Sequence, residues 1–301
     1  MKIVQLVDSN SYIHNNCFQH QLSISLKRSH NVTTVELSQL SGKLPPHDVI
    51  ISCLKLRTLL RNIVDVSLFL KGSPVVVYDQ DVWEGFHDKS QFKGAYEIIM
   101  SRLNVSTFAV TSKWWSDFIK AKGFPSKFVK MWLLPEYCNV GQRFESRAHS
   151  VGFIGGLHPR RRALIDEINM QGISVNTSTV NLGYVDFLRA ISNIGIFVHN
   201  EDQPMTVDGF ACNMGTGMWA KDIETAGRGC FSVRNKADSW ETYLSDIPSV
   251  VLFDDKTTAS DVIKKILTMN SDERWEIMNK SVSVVRDTDG WAQTVKELVE
   301  K

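Results

Sequence analysis

The residues best suited to chemistry lie in two stretches of the second half. In MWAKDIETAGRGCFSV, residues 218–233, Glu224 sits on a helix that runs into the small-residue turn Ala226-Gly227-Arg228-Gly229 and then into an apolar strand. A carboxylate placed there can accept hydrogen bonds from neighbouring hydroxyls, and the glycines let a phosphate approach the backbone. A solvated helix acid followed by a glycine cap is the competing reading. In VGFIGGLHPRRRALIDEI, an apolar strand ends in Gly155-Gly156 and passes through Leu157-His158-Pro159 to Arg160-Arg161-Arg162, which open a helix. Cations at a helix N-terminus oppose its dipole, so an anion held by backbone N–H groups and one or two guanidiniums explains them better than solvent does. The stretch is neither GxGxxG nor GxxxxGK[ST], so both common phosphate fingerprints are absent.

The first half offers a second set. VVVYDQDVWEGFHD places Asp79, Asp81, Glu84, His87 and Asp88 just beyond a buried strand, with Trp83 and Phe86 among them. Aromatic faces stack on C–H surfaces and carboxylates accept hydroxyl protons, so Asp81 or Asp79 could act as a base toward a bound hydroxyl, with Trp83 and Glu84 contacting the molecule that carries it. A solvated acidic loop is the alternative. The polar loop from Asp8 to Asn16 could line the same edge with Asp8, Tyr12 and His14. Ser112 lacks a G-x-S-x-G elbow, and Trp114-Trp115 lacks the interleaved cations of a nucleic-acid stacking platform. The chain contains no HExxH and no Cys/His cluster, so no metal is expected.

Two runs of the same grammar must position these residues. Short apolar segments of strand length (Ile3–Val7, Val32–Leu37, Val49–Ser52, Pro74–Tyr78, Phe108–Thr111) alternate with helical patterns at Cys17–Ser29, around Leu56–Val64, at Phe92–Leu103 and at Lys113–Lys122. Continuous apolar strands separated by helices predict a parallel sheet covered on both faces. After Phe128–Leu133 the polar segment Pro135–Ser150 reads as a linker. The grammar then restarts at Val151–Ile154 and continues to helices near Asp272–Val284 and Trp291–Glu300. The fold class predicted is α/β, with two doubly wound Rossmann-like domains facing across a cleft. The domains are residues 1–140 and 150–301, with the last helix packing back on the first.

Composition bounds the partners. With 43% hydrophobic and 22% charged residues the chain is that of a folded protein, and a net charge of +1 argues against nucleic acid as the main partner. MKIVQLVDSN reads as a strand rather than a signal peptide, and no stretch reaches the length of a membrane-spanning helix. Five scattered cysteines without a CxxC pair argue for a reducing cytoplasm.

VGFIGGLHPRRRALIDEI, YVDFLRAISNIGIFV, DIETAGRGCFSV and VVLFDD, followed by two closing helices with Gly290-Trp291, resemble the nucleotide-binding half of GT-B glycosyltransferases, in the flavour of the family-4-like and spore-coat-type group. FAVTSKWWSDFIKAKGFPSKFVKMWLLPEYC resembles the stretch that ends that group's acceptor domain. The likeness covers most of residues 105–300. It implies that Glu224 grips the donor ribose, that Thr225 and Gly227 flank the diphosphate, that Gly155 and Gly156 form the turn beneath the phosphates, and that Arg160 or Arg161 meets them. Two positions depart from the pattern: Thr216 stands where many retaining members carry a second glutamate, and Gly156 where an arginine often follows the strand glycine. Asp208, Asn213 or backbone N–H groups between Asp208 and Gly217 are then expected to hold the sugar.

The function implied is metal-independent transfer of a sugar from a nucleotide-sugar donor, bound as substrate with no further cofactor, to a carbohydrate or glycosylated acceptor in glycan or surface-polysaccharide synthesis. The location expected is cytoplasmic, with peripheral membrane contact left open. The alternatives are a nucleotide-sugar epimerase or hydrolase of the same fold, and a non-catalytic nucleotide- or glycan-binding module.

Overall fold

The computed structural model describes residues 1–9, 17–180, 182–200, 202–215, 220–236, 242–254, 256–288 and 290–300. Two compact units divide the chain. The first comprises Met1–Met131, Pro204–Met218 and Trp291–Lys301, the second Trp132–Gln203 and Trp219–Gly290.

In the first unit, β1 (Lys2–Val7), β2 (Asn31–Glu36), β3 (Val49–Ser52), β4 (Val75–Asp79), β5 (Val105–Val110) and β6 (Ser126–Phe128) form one sheet in the order β2-β1-β3-β4-β5-β6. Its registered pairs are all parallel. β1 and β4 are buried almost end to end, as strands covered on both faces must be. The helices α1 (Cys17–Ser29), α2 (Leu56–Arg61), α3 (Ile63–Leu70), α4 (Trp83–Phe86), α5 (Ala95–Arg102) and α6 (Lys113–Ala121) connect them. The helix α6 starts where Ser112 Oγ accepts the Trp115 N–H, the usual remedy for an orphan donor at a helix start. Trp115, Tyr96 and Phe108 lie in the core beneath.

In the second unit, β7 (His149–Ile154), β8 (Asn176–Ser178), β9 (Ile194–His199), β12 (Phe231–Asn235) and β13 (Val250–Phe253) form a parallel sheet in the order β13-β12-β9-β7-β8. The helices α7 (Pro159–Met170), α8 (Tyr184–Ile191), α9 (Ala220–Gly227), α10 (Ala259–Thr268) and α11 (Ser271–Asp287) belong to this unit. Arg147, almost fully buried, ties the segment before β7 to its surroundings by donating to Val140 O, Ile194 O and Cys230 Sγ.

The two sheets share a topological feature that matters for ligands. Strand order reverses between β1 and β3 in the first unit and between β7 and β9 in the second. In open α/β sheets, ligands bind beyond the carboxyl ends of strands at such a reversal.

Two segments of the second half, Pro204–Met218 and Trp291–Lys301, belong to the first unit. The hairpin β10 (Asp202–Val207) and β11 (Phe210–Gly215) stands where the sequence reading places a ligand loop, and Met205 and Val207 are buried in the first unit's core. The helix α12 (Gly290–Val299) is held there as Trp291 Nε1 donates to Gln21 Oε1 (3.2 Å) and Thr294 Oγ1 to Lys130 O (2.8 Å).

Candidate functional site

The carboxyl edge of the second sheet is built around its strand reversal. Gly155 follows β7 directly and has φ of 144°, a conformation that side chains disfavour. Its N–H donates to Ser178 O at 2.9 Å, so the turn stays stitched to β8. The helix α7 begins four residues later with Pro159 at its first position and no acid in its first turn. Arg161 folds back over that turn: Nη1 donates to Gly156 O at 2.9 Å and the guanidinium lies 5.5 Å from the centre of the Phe153 ring. A carbonyl and an aromatic face thus orient a cation beside a glycine turn and a helix N-terminus, which is the geometry of an anion cradle.

The helix α9 runs toward the amino end of β12, so its first turn lies at the same carboxyl edge. Asp222, in that turn, touches His199 at the end of β9 and Ser232 and Arg234 on β12. Glu224 follows two residues later and is 3% exposed. The helix ends through Gly229, at φ of 69°, with Cys230 N donating to Thr225 O.

Thr225 and Gly227, expected to flank a diphosphate, have packing roles in the structure. The Thr225 hydroxyl bonds back to Lys221 O (2.6 Å), and the residue is fully buried. A Cβ on Gly227 would lie 2.4 Å from Leu133 Cδ2, so the absence of a side chain is what lets the helix pack.

In the first unit, β4 delivers Asp79 to the carboxyl edge, but both of its oxygens are engaged. Oδ1 accepts the Asp81 N–H (2.9 Å) and Oδ2 accepts the Tyr96 hydroxyl (2.8 Å). Burial, reinforced by Asp81, pushes the Asp79 carboxyl up to about 7 against those two bonds. Asp81 is half-buried. Burial raises it too, while Lys55, the Trp83 indole and Arg57 pull the other way. Glu84 is buried and paired to Arg57 Nη2 at 2.9 Å, which commits it to an ion pair. Asp81 is therefore the better placed of the two candidate bases. A small cavity beside it is lined by Gln19, Cys53, Lys55, Tyr78 and Asp79.

Asp8 stands directly after β1, at the β1/β3 reversal. Its Oδ2 and the Oγ of Ser52, the last residue of β3, are buried without a hydrogen-bond partner among the described residues. Tyr12 and His14 lie outside the described residues.

Asp208 and Gly209 form the hairpin turn, with φ of 51° and 80°, the signature of a type I′ turn. Their N–H groups, two of those expected to hold a sugar, are already donated to the Asp88 carboxylate (3.1 and 2.9 Å), and Asp208 is paired with Lys122. This corrects the expectation of an open ligand loop beginning at Asp208. Asn213 lies in β11. His87 Nδ1 meets Thr206 O at 3.0 Å, so both His87 and Asp88 serve the hairpin. The dipeptide Asp208-Gly209 between Gln203-Pro204-Met205-Thr206-Val207 and Phe210-Ala211-Cys212 is a hairpin signal that could have been read from the sequence. The Asp222, His199 and Arg234 cluster carried no such local signal, since its members meet only through the fold.

No protein-family model and no curated protein sequence matches the chain. Solved structures do. One, described as trehalose-6-phosphate from E. coli bound with UDP-2-fluoro glucose, matches with a TM-score of 0.62 at 8% identity, covering 100% of this chain and 99% of that one. WaaG, a glycosyltransferase involved in lipopolysaccharide biosynthesis, matches with a TM-score of 0.59 at 10% identity, over 99% and 98%. An alpha-glucosyltransferase in complex with UDP-glucose and DNA containing an abasic site matches with a TM-score of 0.57 at 11% identity, over 100% and 99%. The chain therefore has the GT-B fold of two Rossmann-like domains.

Proposed function

We propose that this protein is a glycosyltransferase that moves a sugar from a nucleotide-sugar donor to an acceptor hydroxyl. The observation that carries the reading is the Gly155 turn with Arg161 aimed back over it, at the strand reversal of a GT-B carboxy-terminal sheet. Arg160, Arg161 and the N-terminus of α7 neutralise charge on the departing diphosphate, which is the largest electrostatic demand of the reaction, and no metal is needed in this scheme. Glu224 accepts the ribose hydroxyls. In the first unit Asp81 takes the proton of the acceptor hydroxyl, and Asp79 supports its loop through the Asp81 N–H.

The solved structures that share the fold include several described with UDP sugars, so uridine nucleotides are the first donors to try. The acceptor in this reading is a carbohydrate or glycosylated molecule of glycan or surface-polysaccharide synthesis in the cytoplasm, reached from solution or at a membrane surface. Among the described residues no helix is long and apolar enough to cross a membrane. A net charge of +1 disfavours a DNA acceptor of the kind held by the alpha-glucosyltransferase.

Calorimetric titration with nucleoside diphosphates, followed by product analysis with and without a panel of sugar acceptors, tests the proposal. The expected result is uridine diphosphate binding and acceptor-dependent transfer, both reduced at least about tenfold by Glu224→Ala and by Arg161→Ala. Transfer and binding left intact in both variants would overturn it. Donor conversion without any acceptor would instead indicate an epimerase or hydrolase.

A further inference from the structure

The first turn of α9 carries a charge buried as deeply as any in the second unit. Asp222 is 0% exposed, and its partners Arg234, Ser232 and His199 are 0–1% exposed. Asp222 Oδ2 accepts from Arg234 Nη1 at 2.7 Å. Oδ1 accepts from Ser232 Oγ at 2.7 Å and meets His199 Nε2 at 3.1 Å. Burial alone would raise the Asp222 carboxyl, but the attraction of Arg234 and His199 and the bonds to His199 and Ser232 outweigh it and hold the group below the usual carboxylate range.

Ser232 and Arg234 are alternate residues of β12 and so share one face of the strand, while Phe231 and Val233 turn to the core on the other. His199 ends the neighbouring strand β9. One carboxylate on α9 thus grips two adjacent strands at three points. A buried ion pair adds little net stability over apolar residues of the same volume. What three directional bonds add, and an apolar contact does not, is a fixed rotation of the helix about its own axis. Glu224 stands two residues on, about 200° around that axis, so the rotation set by Asp222 is the one Glu224 inherits.

We propose that Asp222, with Arg234, Ser232 and His199, is a positioning cluster that sets the rotation of α9 so that Glu224 meets the donor ribose. The inference rests on the donor reading given under Proposed function.

The test titrates uridine diphosphate into wild-type protein, Asp222→Asn, Ser232→Ala and the double variant Asp222→Leu/Arg234→Met, with a melting temperature for each. Asp222→Asn strands the Arg234 charge and is expected to lower Tm and weaken nucleotide binding about tenfold. The double variant leaves neither charge buried alone, and His199 and Ser232 remain within 3.2 Å of each other. It is expected to recover most of the Tm yet bind as weakly as Asp222→Asn, a split that a purely structural role would not produce. Ser232→Ala, a small change that spares folding, is expected to weaken binding about threefold with Tm nearly unchanged. A double variant that binds like wild type overturns the positioning role, and if it does not fold, wild-type affinity in Ser232→Ala does so. Wild-type protein that binds no nucleoside diphosphate overturns the donor reading and this role together.

Discussion

Asp88 and Gly209 are 121 residues apart in sequence and 2.9 Å apart as carboxylate Oδ2 and backbone N–H. The other oxygen accepts the Asp208 N–H at 3.1 Å and the Lys93 ammonium at 2.5 Å, so one side chain closes the β10–β11 turn onto the first unit. The Lys93 bond, helped by the Gly209 N–H, holds the Asp88 carboxyl down at about 2. A depressed folded pKa gives stability that is complete above the unfolded value of about 3.8 and is lost as pH falls through about 2. Asp88→Ala is expected to speed amide exchange at Asp208 and Gly209 at pH 7 while leaving β1 and β4 protected. In the wild type, the same two amides are expected to lose protection between pH 4 and pH 2. Unchanged exchange at Gly209 in the variant would rule out the clamp.

Asp79 has the opposite sign. Its folded pKa of about 7 lies above the unfolded value, so between about pH 4 and pH 7 the folded state binds more protons and stability falls as pH rises. The cost levels off above pH 7 and is at most a few kcal/mol, on the order of the shift. Asp79→Asn keeps an acceptor for the Asp81 N–H and an amide that can donate to the Tyr96 oxygen. The variant is expected to match or exceed wild-type Tm at pH 8 and to lose the downward slope between pH 5 and pH 7. Parallel Tm profiles for the two proteins would show that Asp79 titrates normally. Because Asp81, not Asp79, is the proposed base, Asp79→Asn is expected to retain transfer where Asp81→Asn abolishes it.

The strands and the helices between them were legible because each strand buried on both faces reads as an apolar run, and the turn at Gly155 was legible because a glycine pair between an apolar run and a helical pattern marks a tight strand-helix junction. The ownership of β10 and β11 was not. Met205 and Val207 are apolar in either location, and long-range contacts of His87, Asp88 and Lys122 with the hairpin accompany their burial in the first unit's core. Thr225 and Gly227 were legible as small residues, but not their local surroundings: the Thr225 hydroxyl bonds back to Lys221 O, and Gly227 lets the helix pack close to Leu133. The Asp222 cluster was out of reach for a related cause: a buried ion pair whose members are 12 residues apart has no period.

Close packing at Gly227 makes a stability prediction separate from any ligand. A Cβ there would meet Leu133 Cδ2 at 2.4 Å and Val285 Cγ1 at 3.2 Å. Contacts that short force side chains off their rotamers or move the helix, so Gly227→Ala is expected to cost about 1–3 kcal/mol in chemical denaturation despite the higher helix propensity of alanine. Leu133→Ala alone leaves a cavity and costs about 2–5 kcal/mol, but the double variant should be more stable than the sum of the two losses predicts, since each change relieves the other. Additive losses would mean that α9 does not pack on Leu133 as described.

Arg161 and Gly155 make the most direct prediction about binding. The Arg161 guanidinium is held by Gly156 O and by the Phe153 ring, so its orientation is set before any anion arrives. Lysine keeps the charge but has neither the planar face nor the fork of donors needed to bond the carbonyl and a phosphate together. Arg161→Lys is therefore expected to lose most of the nucleoside diphosphate affinity lost by Arg161→Ala. Phe153→Leu should weaken binding less, by removing the stack alone. Gly155→Ala strains a backbone at φ of 144° and brings a Cβ within 3.3 Å of the Phe153 ring, so it should reduce both stability and affinity. Salt separates charge from shape in this set. Wild-type affinity should fall with ionic strength more steeply than that of Arg161→Ala, because the variant has lost one charge facing the diphosphate. Equal salt slopes would place the anion elsewhere and remove Arg161 from the site.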